Sequence, residues 1–241
     1  MSACGLVSTT DPAVVTSIDE ELRLDLWNPL DQSHPLELRL QTLEPKCVTS
    51  QILTTHQQTG SSLQVTIEGL AEQPECQGGS AFLQSAVPAH VSPGAFAVTI
   101  QLGTSVSNRG ILTFDGQVYR LSMDTSDGLL IGHDELYDIP PGTIWGRITS
   151  DQNVAEINEI FLDELTSVSD PADLPSGYYG HFRVLDADVQ LTPSVVATYN
   201  YPFICTLNGQ LSALQEIIDD FRTAHGNTIS IECTTWHGKS L

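Results

Sequence analysis

The feature that most constrains this chain is a two-residue alternation of apolar and polar side chains recurring from Ile18 to about Met123. Leu22, Leu24 and Leu26 alternate with charged residues. Leu36, Leu38 and Leu40 repeat the pattern, as do Leu63, Val65 and Ile67 and then Phe96, Val98, Ile100 and Leu102. Successive side chains of a strand point to opposite faces, so this period specifies half-buried strands with one face turned to a core. Turn signals separate the segments: "NPLDQSHP" at 28–35, "QQTGSS" at 57–62, "QGGS" at 77–80 and "FDGQ" at 114–117. Asp115-Gly116 predicts a type I′ hairpin, whose two central residues both need positive φ. Short strands at regular turn spacing, with no helical period between them, predict a β-sandwich over 18–126.

The stretch "DGLLIGHDELYDIPPG" at 127–142 reads as a linker, because paired prolines and flanking glycines interrupt regular structure. Beyond it the period changes. Strands are expected at 143–149 ("TIWGRIT"), 178–185, 199–207 and 228–236, with helices at about 151–166 and 211–225. Val154, Ile157, Ile160, Phe161 and Leu165 share one face of the first helix, with Ser150 as its N-cap. Leu214, Ile217, Ile218, Phe221 and His225 form the stripe of the second, with Ser212 and Gln215 as a capping box and Gly226 as the stop. The order β-α-β-β-α-β is the split βαβ arrangement of ferredoxin-like domains, assigned here to 143–241. A length of 241 residues suits two such domains.

Five cysteines are present, and four fall into two pairs, Cys47 with Cys76 and Cys205 with Cys233, one pair in each half. Pairing within each half gives two disulfides and an oxidising compartment. The alternative is buried thiols. For the second pair the usual ferredoxin-like strand order 4-1-3-2 opposes a bond: strands three and four flank strand one, about 9 to 10 Å apart. There is no CxxC and no zinc-ligand spacing.

Thirty Asp and Glu against two lysines and seven arginines leave a net charge of −21. Nucleic acid and anionic lipid surfaces require clustered Lys and Arg to displace counterions, so neither is an expected partner. No window approaches the roughly 18 continuous apolar residues of a membrane-spanning helix.

Few residues point to catalysis. "GHDELYD" at 132–138 gathers His133, Asp134, Glu135 and Asp138, which can ligate a metal or exchange protons but equally make a solvated linker. Asp124 to Glu135 spans a twelve-residue calcium-type loop, with Gly128 at the fifth position where the sixth is required. "HGKS" at 237–240 lacks the glycine of a phosphate loop, since Cys233 occupies that place. HExxH and GxSxG are absent. Asp124 and Glu135 are therefore weak metal candidates, no cofactor is expected, and an enzyme is not the first reading. Tyr178, Tyr179, Tyr199, Tyr201 and Trp236 lie on expected strands and make a binding surface if they face out of an open sheet side.

Three resemblances add to this. Ser2-Ala3-Cys4-Gly5 resembles the end of a bacterial lipoprotein signal; no apolar h-region precedes it, as in a mature form with a new start residue. The resemblance implies thioether lipidation of Cys4, a polar tether over 1–17 and, with Gly5 after the cysteine, sorting to an outer membrane. "SPGAFAVTI" at 92–100 is similar to the Pro-Gly-x-aromatic start of a strand in immunoglobulin-like and prealbumin-like modules of bacterial surface proteins. "TIWGRIT" with "SGYYGHF" resembles the ferredoxin-like propeptide inhibitors of subtilisin-like proteases, whose extended tail would here be the residues after Cys233. The expected function is that of a lipid-anchored envelope protein. It binds a protein or glycan without catalysis and meets the membrane only through its anchor; an inhibitor or chaperone module and a hydrolase with an unrecognised site are the alternatives.

Overall fold

The computed structural model describes residues 14–16, 22–30, 36–72, 76, 78–186, 188–193 and 198–241. Cys4 and most of the expected tether lie outside them. The protein is β-rich, with two helices among the described residues.

In the first half the strands are β1 (Val14–Thr16), β2 (Leu22–Trp27), β3 (Leu36–Thr42), β4 (Lys46–Cys47), β5 (Gln51–Thr59), β6 (Ser62–Glu72) and β7 (Ser80–Ala81). They continue with β8 (Gln84–Ala89), β9 (Gly94–Leu102), β10 (Val106–Phe114), β11 (Val118–Met123), β12 (Leu129–His133) and β13 (Glu135–Tyr137). A seven-stranded sheet runs β1-β6-β9-β10-β11-β13 with β5 also on β6, and a four-stranded sheet runs β12-β2-β3-β8. The alternating residues do what their period requires. Leu22, Leu24 and Leu26, Leu36, Leu38 and Leu40, Leu63, Val65 and Ile67, and Val98 and Ile100 are all buried in one core shared by the inner faces of both sheets. Each fully buried Leu or Ile contributes roughly 1.5 to 3 kcal/mol.

Three expectations change here. The expected linker at 127–142 is built into the sheets: β12 pairs in parallel with β2, β13 pairs with β11, and Leu129 and Leu136 enter the core. Residues 14–16, placed in the tether, form β1 against Leu70–Glu72. At the 114–117 turn only Gly116 has positive φ, at 99°. Asp115 instead accepts the Gln117 and Val118 N–H groups at 2.9 and 2.8 Å, an Asx turn in place of type I′.

The second half comprises β14 (Thr143–Ser150), α1 (Ala155–Leu165), β15 (Ser169–Pro171), β16 (Gly177–Tyr178), β17 (Phe182–Leu185) and β18 (Asp188–Leu191). After these come β19 (Tyr199–Leu207), α2 (Leu211–His225) and β20 (Ser230–Thr235). Its main sheet is ordered β15-β19-β14-β20, every pairing antiparallel. The second strand of this sheet is thus Ser169–Pro171, not 178–185. Residues 177–191 form a separate three-stranded sheet, β16-β17-β18. Both helices cover one face of the main sheet, where Phe161 meets Phe203 and Phe221 edge-on at 5.4 and 5.1 Å. Neither helix starts on its expected cap. Ser150 donates to the Thr228 carbonyl instead, and Gln215 bonds Asp219. Gly226 ends α2 in a right-handed conformation, φ −61°.

The opposite face of the main sheet is not open. Trp145 and Ile204 pack there with Phe182 and Tyr179, and Leu30 and Tyr137 reach in from the first half. This is why β14 is buried along nearly its whole length. The residues after Cys233 turn back, with Leu241 buried and its carbonyl taking a hydrogen bond from Arg222 at 2.8 Å.

Cys47 and Cys76 form the expected disulfide beside the β4–β7 pair. Cys205 and Cys233 do not bond. They stand on β19 and β20, opposite Ile144 and Gly146 of the intervening β14, as buried free thiols. Burial pushes the Cys205 thiol up and the Cys233 thiol up to about 12, so neither forms a thiolate near neutrality.

Candidate functional site

The site grows from the outward positions of β2. The period that buries Leu22, Leu24 and Leu26 turns Arg23, Asp25 and Trp27 to the outer side of the four-stranded sheet, next to Gln41, Arg39 and Glu37 of β3. The parallel strand β12 brings His133 opposite Asp25, with a bulge at Gly132. A Cβ at Gly132 would meet the Asp25 carboxylate and the Arg23 guanidinium, so glycine lets both side chains lie close over the bulge.

His133 Nδ1 donates to Asp25 Oδ1 at 2.8 Å. Arg23 grips the same carboxylate through two nitrogens, at 2.7 and 3.2 Å. Burial pushes the Asp25 carboxyl up, but the bonds from His133 and Arg23 outweigh it and hold the group below the usual carboxylate range. The His133 ring stacks on Tyr178 of β16 with centroids 3.8 Å apart. Next to this pair, Arg39 lies 3.9 Å over Trp27, and Trp27 meets His181 at 4.6 Å. His181 Nε2 donates to the Asn28 carbonyl at 2.7 Å, and burial holds its imidazole below the ordinary range.

A cleft of about 580 Å³ opens where the two halves meet, lined by His133, Tyr178, Arg183, Gln190, Thr192 and Asn200 among others. His133, Tyr178 and Arg183 also line a cavity of about 390 Å³ that reaches Ser176 and Glu135. The stacked pair is therefore a shared wall. Compared with known protein families, known proteins and solved structures, the chain matches none.

The sequence candidates scatter. His133 takes its carboxylate partner from β2 rather than from Asp134 or Asp138. Asp134 is exposed, while half-buried Asp138 has its carboxyl pushed up by desolvation. Glu135 bonds Arg120 at 3.0 Å and Asp124 is exposed; among the described residues no group of three metal-ligating side chains assembles. The five aromatic residues do not form an outward platform. Tyr178 and Tyr179 are buried, Trp236 packs with Trp145 and Phe182, and Tyr201 lies on the helix-covered side with its hydroxyl on Asn153 at 3.0 Å; Tyr199 is half-buried. Sequence reading missed Arg23, Asp25, Arg183, Gln190, Thr192 and Asn200. The available signal was the scarcity of basic residues, which makes each arginine on a strand worth placing.

Proposed function

We propose that the chain is an exported, membrane-anchored bacterial lipoprotein acting as a non-catalytic binding module of the cell envelope, with its ligand site in the cleft between the halves. The observation that carries this reading is the Cys47–Cys76 disulfide, since such bonds persist in oxidising compartments. The cleft supports the binding role. It converges several polar groups, with the Asp25-paired His133 on its wall.

The finer architecture belongs to the same proposal. We take the first half as an immunoglobulin-like sandwich, supported by two sheets sharing one core. Its parallel β6–β9 and β2–β12 pairings set it apart from a purely antiparallel Greek key. We take the second as ferredoxin-like, supported by the order β20-β14-β19-β15, which is 4-1-3-2 when β14, β15, β19 and β20 are counted first to fourth. The propeptide-type inhibitor reading wants an extended tail, whereas residues 236–241 fold back onto the domain.

Metabolic labelling with palmitate in a Gram-negative host, with the chain behind a lipoprotein signal, tests the anchor. The expected result is a labelled protein in the outer-membrane fraction and an unlabelled, soluble Cys4→Ser variant. Unlabelled wild-type protein contradicts the proposal.

A further inference from the structure

Resting on the binding-module reading, we infer that the cleft between the halves takes a carboxylate-bearing sugar, whose carboxylate is gripped by Arg183. The argument begins with charge. Arg23, Arg39, Arg120, Arg147 and Arg222 are each paired with a carboxylate. Arg183, on β17 with its side chain exposed, has no ion pair among the described residues and lines both cavities. In a chain with 30 acidic and 9 basic residues, a guanidinium left unpaired in a cleft is available to a ligand. Its planar fork matches a carboxylate through two parallel hydrogen bonds.

The rest of the lining selects for hydroxyls. Gln190, Thr192 and Asn200 offer amide and hydroxyl groups that both donate and accept, as sugar hydroxyls do. Asp188, the one carboxylate lining this cleft among the described residues, accepts from the Val189 N–H at 2.8 Å and keeps further lone pairs for a sugar hydroxyl. The His133–Tyr178 stack, tied to β2 through Asp25, forms a fixed wall. A site held rigid before binding loses less entropy on association.

The test is calorimetric titration of the full chain with trigalacturonate, its methyl ester and acetate. Trigalacturonate is expected to bind. The ester, which keeps the sugar and loses the charge, and acetate, which keeps the charge and loses the sugar, are each expected to bind at least about tenfold more weakly. Arg183→Gln should weaken trigalacturonate binding by about tenfold or more, and Asn200→Ala should weaken it less. Arg109→Gln, an exposed control, should leave it unchanged. Absence of trigalacturonate binding, equal binding by acetate, or wild-type affinity in Arg183→Gln overturns the inference. A protein that is acylated and disulfide-bonded yet ignores trigalacturonate removes only this ligand class. One that is neither acylated nor oxidised removes the binding-module reading itself.

Discussion

At the scale of residues, the junction holds two positions whose environments oppose charge or bulk. Gly132 lies against the Asp25–Arg23 pair, so Gly132→Ala forces both groups to move. A loss of about 1 kcal/mol or less in urea unfolding is expected, because the ends of these part-exposed side chains can shift; a loss above about 3 kcal/mol would show that the pair cannot yield. His181 gives a pH dependence. Burial, with the Arg39 charge beside it, lowers its pKa against a partial offset from the bond to Asn28. The unfolded chain takes up this proton near pH 6.5 while the native state resists it, so this site destabilises the fold as pH falls below about 6.5 and has no effect above it. The urea midpoint should drop between pH 7.5 and 5.5, and the drop should be smaller in His181→Gln. An identical drop in both would assign it elsewhere. Neither His181 nor Asp25 could be picked out beforehand, because their roles come from partners 153 and 108 residues away.

At the scale of elements, what could be read locally was read well. Period-two leucines in β2 and β3 and the helical stripe of α2 found their core faces, because a periodic pattern needs only its own segment to be recognised; in α1 the stripe holds for Val154, Phe161 and Leu165, while Ile160 at its edge is 52% exposed. The misread stretch was 127–142. β12 is five residues long, contains a bulge, and pairs in parallel with β2, about a hundred residues earlier. Nothing local marks such a pairing, and Pro140-Pro141 lies just past β13 rather than inside a strand. Residues 177–191 were misread for a similar reason: a small sheet laid across a larger one looks like one more strand of it. The helix layer yields its own test. Phe161 is fully buried between two aromatic rings, so Phe161→Ala should cost about 3 to 5 kcal/mol by denaturant titration. A cost below about 1 kcal/mol would mean that the helices are not packed on the sheet.

At the scale of the whole molecule, the halves are not beads on a linker. The 127–142 segment belongs to the first half's sheets, and Tyr178 from the second half enters the first half's core. Unfolding should therefore be one transition, with far-UV circular dichroism and tryptophan fluorescence coincident in urea. Two separated transitions would contradict this coupling. The Cys47–Cys76 bond spans a sequence separation of 29 residues. Its removal is expected to cost about 3 to 4 kcal/mol in the chain-entropy account. The compartment inferred from that bond is the central claim, and peptide mass spectrometry of the protein taken from its native membrane, alkylated without reductant, tests it most directly. The account predicts an acylated Cys4 peptide, Cys47 joined to Cys76, and Cys205 and Cys233 alkylated only after unfolding. An unmodified N-terminus with Cys47 and Cys76 as free thiols would contradict it.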